Sequence, residues 1–208
     1  MSSLSVVLIV KDEAGSLAAC LEKVLWADEV IVLDSGSSDN TMEVARQFTD
    51  KVFVAEDWQG YGVQRQRAQE KASCDWVLMI DADEHVTPEL SVEIQGIVKA
   101  NDQSCAYAMP ILPWCFGRFI RHGGWYPAPK VRLYSRSRAR YGDERVHEKL
   151  YFDEGMTTRK LKGDLLHFTY RDMEHYLVKS AHYAAEWAEQ RKRDNRSASL
   201  TQGIIHGL

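Results

Sequence analysis

Two carboxylates that follow an apolar run are the clearest place for chemistry in this chain. Asp81 and Asp83 come directly after residues 76–80 (WVLMI), a run typical of a strand buried on both faces. Ligands of open α/β sheets bind outside the carboxyl ends of the strands. Mg²⁺ is commonly held there by one or two carboxylates, with water and substrate phosphates as its other ligands. The alternative is an ordinary polar turn.

The segments around these acids alternate between strand and helix patterns. Strands are predicted at 4–10, 30–33, 52–55 and 76–80, and helices at 14–26, from about 41 to 46, and at 63–71. This alternation predicts an α/β fold with a mostly parallel sheet and helices on both faces. The strand ends after Leu33 and Ile80 should then be neighbouring edges of one site.

The chain changes character after about residue 100. Thr87 and Pro88 begin a helix predicted to end near Ala100, after which prolines and a double glycine interrupt short strands at 131–134 and 163–169. Residues 172–193 carry apolar side chains at helical spacing, which predicts a helix packed on the core. We expect one domain, 1–208, with halves at 1–100 and 101–208.

Composition indicates a globular protein, with 45% hydrophobic and 27% charged residues. The four cysteines form no Cys-x-x-Cys pair, which predicts buried thiols without disulfides or zinc. The apolar run at 1–10 is short and is followed by Lys11, Asp12 and Glu13, unlike a signal peptide or a membrane span. The expected location is the cytoplasm.

Charge is distributed unevenly along the chain. Residues 1–115 carry 8 Lys and Arg against 19 Asp and Glu, whereas residues 116–171 carry 13 against 6. The basic block consists of Arg118, Arg121, Lys130, Arg132, Arg136, Arg138, Arg140 and Arg145. It suits phosphates or an anionic membrane surface, or it is a solvated face. Nucleic acid is not expected as a partner, because no nucleic-acid-binding signature accompanies the block.

Several motifs together resemble the family 2 glycosyltransferases of the GT-A fold. They are residues 6–13 (VVLIVKDE), 34–41 (DSGSSDNT) and 81–84 (DADE), in this order. Residues 122–127 (HGGWYP), 132–134 (RLY) and 146–148 (VHE) further resemble the bacterial lipopolysaccharide inner-core β-1,4-glucosyltransferases. The resemblance implies a Rossmann-like nucleotide-sugar-binding half at 1–100, and a smaller acceptor-binding half with a C-terminal helix at 101–208.

The resemblance and the chemistry of a nucleotide sugar assign roles in the first half. Uracil and ribose need hydrogen-bond acceptors at the sheet edge, which Glu13 and Asp34 can supply. Asp34 alternatively closes the loop that follows it. Arg65 lies where the family commonly has an Arg-Asn pair near the nucleotide, with Gln66 here in place of Asn. Arg65 is expected to contact the diphosphate, to brace Asp34, or to lie on the helix surface.

Transfer from a nucleotide sugar requires that charge on the departing diphosphate be neutralised, for which we expect a divalent cation, Mg²⁺ or Mn²⁺. Asp83 is expected to bind the cation directly, with Asp81 turned toward the ribose or the cation. His167 is expected to be a further ligand, because GT-A enzymes often use a late histidine in this way. The alternative is a histidine satisfied within the core.

Family 2 resemblance also implies inversion of configuration, which requires one carboxylate to take the proton of the attacking hydroxyl. Glu148 is expected to be this base. Alternatively, Glu148 pairs with Arg145 or Lys149 on a strand surface, and Asp143 or Glu144 is the base.

In the acceptor half, Trp125 is expected to stack on a sugar or to plug the space between the halves, and Arg132 to bind substrate. The full prediction is transfer of glucose from UDP-glucose to a heptose of the lipopolysaccharide inner core. A lipid-linked acceptor would place the enzyme at the cytoplasmic face of the inner membrane, in peripheral contact. Alternatives are another UDP-sugar or acceptor, a nucleotidyltransferase, or a non-catalytic nucleotide-sugar-binding module.

Overall fold

The computed structural model of the chain describes residues 2–145 and 148–193. The strands of the first half are β1 (Leu4–Val10), β2 (Glu29–Asp34), β3 (Val52–Val54), β4 (Trp76–Met79) and β5 (Glu84–Val86). Its helices are α1 (Leu17–Glu22), α2 (Thr41–Ala45), α3 (Tyr61–Glu70) and α4 (Pro88–Ala100). The second half contributes β6 (Cys105–Met109), β7 (Ile111–Cys115), β8 (Arg118–Phe119), β9 (Lys130–Ser135), β10 (Ala139–Tyr141), β11 (Leu150–Phe152), β12 (Thr157–Lys160), β13 (Leu165–Tyr170) and α5 (Met173–Arg193).

The main sheet is mixed and mostly parallel. Its strand order is β12-β6-β9-β4-β1-β2-β3. The pairs β1 with β2, β1 with β4, β2 with β3, and β12 with β6 are parallel, whereas β9 runs antiparallel to both β4 and β6. A second sheet has the order β5-β13-β7-β8, and β10 pairs with β11. The predicted set of parallel strands, β4-β1-β2-β3, is therefore present, with β1 between β4 and β2.

Strand β1 explains why the sheet has helices on both faces. All seven of its residues are buried, and alternate side chains point to opposite faces. Val6 and Leu8 pack with residues of α1 and α4 on one face, and Val7 and Ile9 pack with Ala68 of α3 on the other. Burial on both sides accounts for the continuous apolar pattern of this strand.

Helix α4 begins and ends where the sequence predicted. The Thr87 hydroxyl caps it by accepting a hydrogen bond from the Leu90 amide, and Asn101 ends it in the left-handed region at φ 54°. Helix α1 is shorter than the predicted 14–26, because the chain leaves the helix in a turn after Glu22. Many short strands of the second half escaped prediction, since two to five residues give little periodic signal.

Helix α5 corrects one expectation. The helical spacing of its apolar residues predicted core packing, but none of its side chains is buried. Met173 and Leu177 are each 59% exposed, and Trp187 is 45% exposed. The helix follows strand β13 and lies on the molecular surface, so that only one of its faces contacts the rest of the chain. The described part of the chain contains no helix long and apolar enough to cross a membrane.

The basic block is also not a single solvated face. Arg132 is buried, and the Arg136 Nε donates to the Cys74 carbonyl at 2.7 Å. Arg138 donates to the Gln103 carbonyl at 3.1 Å, and Arg145 pairs with Glu186 on α5. Half of the block therefore holds strands and loops in place. The four cysteines are buried free thiols, as predicted.

Glu29 anchors the amino-terminal end of the parallel strands. Its buried carboxylate accepts hydrogen bonds from the hydroxyls of Ser5 and Ser73, from the Ser73 amide, and from Lys51. Burial alone would raise the pKa of Glu29, but these bonds outweigh burial and lower the pKa from 4.5 to about 2. The ionised carboxylate therefore stabilises the folded state.

We expect Glu29→Gln to lower the free energy of unfolding by about 1–3 kcal/mol at pH 7, because buried donors lose a charged acceptor. A lowered folded-state pKa contributes stability above the unfolded value and loses it as the pH falls through the folded value. The difference from wild type should thus shrink as the pH falls from 4.5 toward 2. Urea denaturation at several pH values measures it. The exposed Glu22→Gln on α1 is the control, and a difference independent of pH would contradict this account.

Candidate active site

The carboxyl ends of three adjacent parallel strands form the polar edge of the sheet. Strand β1 lies between β2 and β4, with Val10 paired to Asp34 and Val7 paired to Met79. The turn after β4 carries Asp81 and Asp83 and is closed by a hydrogen bond from the Glu84 amide to the Asp81 carbonyl at 2.9 Å. The polar turns after β2 and β4 therefore flank the end of β1, as the alternation of elements predicted.

Arg65 joins the acid of this turn to the predicted base. Its Nη2 donates to Asp81 Oδ1 at 2.6 Å, and its Nε donates to Glu148 Oε1 at 2.9 Å. The Arg65 side chain is only 4% exposed. Arg65 thus does not lie on the helix surface and does not brace Asp34. Glu148 pairs with Arg65 rather than with Arg145 or Lys149, and it lies outside the regular strands.

A second buried guanidinium completes this arrangement. Arg132 Nη2 donates to Asp81 Oδ2 at 2.8 Å and also to the fully buried carboxylate of Glu84. Burial would raise the pKa of Asp81, but Arg65 and Arg132 outweigh it and hold that pKa well below its usual range. Arg132 therefore orients Asp81, and the predicted contact of Arg132 with substrate stays a prediction. We call Arg65, Asp81, Glu84, Arg132 and Glu148 the arginine–carboxylate cluster.

Gly60 and Gly62, at the start of α3, allow the loop before Glu148 to approach the helix closely. The amides of Tyr61 and Gly62 donate to the carbonyls of Arg145 and Glu144, each at 3.0 Å. A Cβ at Gly62 would lie 2.3 Å from the Gly142 carbonyl oxygen, so only glycine permits this approach. The loop before Glu148 is thereby held against the helix that carries Arg65. Val146 and His147, which precede Glu148 in its motif, lie outside the described residues.

Asp83 and His167 meet because β13 pairs with β5. The register places His167 opposite Glu84, and the Phe168 amide donates to the Asp83 carbonyl at 2.8 Å. His167 Nε2 lies 3.3 Å from Asp83 Oδ2. Burial lowers the pKa of His167, but its hydrogen bond to Asp83 and the charge of that carboxylate outweigh burial and raise the pKa above its usual value. The histidine is therefore in contact with the acidic turn.

Lys179 of α5 is a site residue that the sequence did not reveal. Its Nζ lies 3.1 Å from Asp83 Oδ2, the same oxygen that His167 contacts. Burial would lower the pKa of Lys179, but the charges of Asp83, Asp81 and Glu13 outweigh it and raise the pKa. The ammonium group therefore stays charged. Because Lys179 and Asp83 are 96 positions apart, no local pattern could have paired them.

Glu13 and Asp34 occupy the ends of the other two strands. The Glu13 carboxylate accepts a hydrogen bond from the Ser16 hydroxyl, and burial, with the charges of Asp83 and Asp81, raises its pKa. Asp34 is fully buried, and its Oδ1 accepts hydrogen bonds from the amides of Gly36 and Ser37 at 2.8 Å. Asp34 therefore closes its own loop, and a contact of either residue with nucleotide stays a prediction.

Trp125 is not joined to these groups by any described contact. It is 46% exposed, in a loop whose neighbouring Tyr126 donates to Asp164 Oδ1 at 2.9 Å and contacts Arg121. This loop is therefore attached to the segment before β13 rather than to the acidic turn. Stacking of Trp125 on an acceptor stays a prediction.

The residues near Asp83 fit a divalent cation shared with a substrate. Among residues 2–145 and 148–193, no group of three or more His, Cys, Asp or Glu side chains forms a metal cage. Asp83 and His167 nevertheless offer a carboxylate oxygen and an imidazole nitrogen side by side. Carboxylates suit Mg²⁺ and Mn²⁺, and Mg²⁺ sites commonly take further ligands from substrate phosphates and water. Asp83 and His167 are the residues that would hold such a cation.

Comparison with known proteins identifies the family of this chain. The family described as Glycosyl transferase family 2 matches residues 5–162. The chain is 29% identical over 192 residues to the lipopolysaccharide core biosynthesis glycosyltransferase LpsC of Rhizobium meliloti (strain 1021), covering 90% of this chain and 71% of LpsC. It is 30% identical over 210 residues to the uncharacterized glycosyltransferase RP128 of Rickettsia prowazekii (strain Madrid E), covering 96% of this chain and 71% of that protein.

A solved structure supports the fold. S. aureus TarS 1-349 in complex with UDP has a TM-score of 0.56 and 14% identity, covering 77% of this chain and 61% of the TarS chain. The match thus spans less than two thirds of that structure. The predicted GT-A fold is confirmed, and the family match favours glycosyl transfer over the nucleotidyltransferase alternative.

We expect Arg65→Met to lower the free energy of unfolding by about 3 kcal/mol, because removing one partner of a buried ion pair leaves Glu148 unpaired and leaves Asp81 with Arg132 alone. The control is Arg67→Met on the same helix, whose ion pair with the exposed Asp57 should contribute below about 1 kcal/mol. Urea denaturation at neutral pH measures both. Equal losses of unfolding free energy in the two variants would show that Arg65 is not essential to the arginine–carboxylate cluster.

Proposed function

The chain belongs to glycosyl transferase family 2, and on that premise we propose that it is an inverting, metal-dependent transferase that uses a UDP-sugar donor. The observation that carries the proposal is the link from Asp81 through Arg65 to Glu148, beside the Asp83–His167 pair. Arg65 thus connects the acidic turn, where we propose that the diphosphate and its cation bind, to Glu148, which we propose faces the acceptor. TarS, crystallised with UDP, supports a uridine nucleotide as the donor.

In the proposed reaction, Glu148 takes the proton of an acceptor hydroxyl while that oxygen bonds to the anomeric carbon. The bond from that carbon to the diphosphate breaks on the opposite face of the sugar, which inverts the configuration. A cation held by Asp83 and His167 would supply neutralisation of charge on the leaving diphosphate. Arg65 fixes the orientation of Glu148 through the hydrogen bond from its Nε.

We further propose glucose as the sugar and a heptose of the lipopolysaccharide inner core as the acceptor. The identity with LpsC, a lipopolysaccharide core biosynthesis glycosyltransferase, supports this class of acceptor. A lipid-linked acceptor would bring the protein to the cytoplasmic face of the inner membrane, where exposed basic residues such as Arg118 and Arg140 suit anionic headgroups. Glu13, Asp34 and Trp125 are proposed to contact the substrates.

Donor binding tests the first part of the proposal. We expect UDP-glucose to bind in the presence of Mn²⁺, and Asp83→Asn to weaken that binding at least about tenfold, because losing even an outer-shell partner of a metal ligand typically costs that much. Calorimetry with UDP-glucose, UDP-galactose, UDP-N-acetylglucosamine and GDP-mannose, each with Mn²⁺ or with chelator, identifies the donor. The control is Asp153→Asn, whose side chain is 59% exposed and pairs with Arg138. Binding of GDP-mannose alone would overturn the choice of donor.

Turnover tests the base. We expect Glu148→Gln to keep donor binding and to lower kcat by about 10²-fold or more with a heptose-containing acceptor, because the amide cannot take a proton. Glu144→Gln is the comparison, since its carboxylate lies on a nearby loop and accepts from the Tyr151 hydroxyl at 2.8 Å. A large loss of kcat in Glu144→Gln with none in Glu148→Gln would make Glu144 the base.

A further inference from the structure

Helix α5 lies across the polar edge of the sheet, although none of its side chains is buried. The contacts that hold it there include three on one helix face: Lys179 Nζ with Asp83 Oδ2 at 3.1 Å, the Tyr183 ring stacked on the Tyr61 ring with centroids 6.2 Å apart, and Glu186 with Arg145 at 3.1 Å. Their spacing of four and then three residues places all three on one face of the helix. Near the acidic turn the helix is therefore docked by side-chain tips, and at its start Tyr176 packs against the rings of Tyr170 and Phe116, with no fully buried side chain among its described residues.

Such docking is easily reversed. Both ion pairs remain partly open to water, with Lys179 25% and Asp83 16% exposed, and Arg145 24% and Glu186 15% exposed. Each pair must also offset the entropy lost when a long side chain is held in one geometry. The apolar side chains of Leu177 and Val178 are 59% and 65% exposed, so they bury little surface that could strengthen docking. Segments with few buried contacts open at low free-energy cost. Loss of one contact should therefore change the docking equilibrium measurably.

The contact between Lys179 and Asp83 lies where a divalent cation would bind. Its ammonium and the His167 imidazole both face Oδ2 of Asp83, at 3.1 Å and 3.3 Å. A divalent cation held by Asp83 and His167 would use the same carboxylate oxygen. Two cations at one carboxylate oxygen repel each other strongly in a site of low dielectric constant. Lys179 and a divalent cation are therefore alternative partners of Asp83.

We propose that Lys179 competes with the divalent cation for Asp83, so that cation binding loosens α5 from the polar edge of the sheet. This inference rests on the proposed function, which supplies the cation and the diphosphate. After leaving Asp83, the Lys179 ammonium remains on a helix beside the leaving-group site, where its charge suits phosphate oxygens. The helix would thus exchange a carboxylate partner for a diphosphate partner.

Thermodynamic linkage makes the proposal quantitative. If docking of α5 through Lys179 weakens cation binding by some factor, cation binding must weaken that docking by the same factor. Two independent measurements should therefore return one number. The first is Mn²⁺ affinity, and the second is amide hydrogen exchange in α5.

The first experiment measures Mn²⁺ affinity at saturating UDP by electron paramagnetic resonance of free Mn²⁺. We expect Lys179→Met to bind Mn²⁺ at least about fivefold more tightly than wild type, the lower range of such coupling. Lys192→Met, an exposed lysine of the same helix, should match wild type, and Lys179→Arg should stay close to it because it keeps the positive charge. Lys179→Gln is a second neutral variant and should behave like Lys179→Met.

The second experiment follows hydrogen exchange at residues 176–186 in the same proteins. Adding Mn²⁺ and UDP to wild type should raise exchange there by the factor found for affinity, whereas Lys179→Met should exchange faster from the start and respond little. Unchanged Mn²⁺ affinity in Lys179→Met, in a protein whose wild type binds Mn²⁺ with UDP, would overturn the competition and leave the proposed function intact. If wild type bound neither UDP-sugars nor Mn²⁺, both the proposed function and the competition would be rejected.

Discussion

Two buried guanidinium groups are the constraint on which the polar edge of the sheet depends. Moving a charged side chain out of water costs several kcal/mol unless good geometry pairs it. Arg65 of α3 and Arg132 of β9, with side chains 4% and 6% exposed, find their carboxylate partners only if the turn after β4, strand β5 and the loop before β11 all reach them. All of these elements must therefore be in place before both guanidinium groups have their carboxylate partners.

The charges of the arginine–carboxylate cluster also explain why its surroundings attract cations. Asp81, Glu84 and Glu148 supply three carboxylates against the two guanidiniums. Glu13 and Asp83 lie near them and add further negative charge, which His167 and Lys179 face. The cluster is thus cross-linked by ion pairs and carries one net negative charge, and Glu13 and Asp83 make its surroundings more acidic. The proposed cation would meet this acidic surface above carboxylates that the two guanidinium groups hold in place.

Local pattern predicted the parts of the fold that local physics determines. Continuous burial of β1 and the Thr87 cap of α4 are visible in the sequence because each depends on a few adjacent residues. The acidic turn was likewise found from its position after β4. Partners that lie far apart along the chain were not predicted, such as Arg65 with Glu148, 83 positions apart. The outward face of α5 was misjudged, because helical spacing reveals an apolar stripe and not what covers it.

The residues proposed to bind the donor and those proposed to meet the acceptor lie on different kinds of structure. Residues proposed to bind the donor lie at the ends of buried parallel strands, where a shift of register would expose a core face. Glu148 lies on a loop, and Trp125 lies on another loop fixed through Tyr126 and Asp164. Loops tolerate change far better than the elements they connect. Under the proposed function, one strand-end framework would therefore keep its donor and the proposed base Glu148, which Arg65 holds, while the surrounding loops would determine which acceptor hydroxyl reaches Glu148.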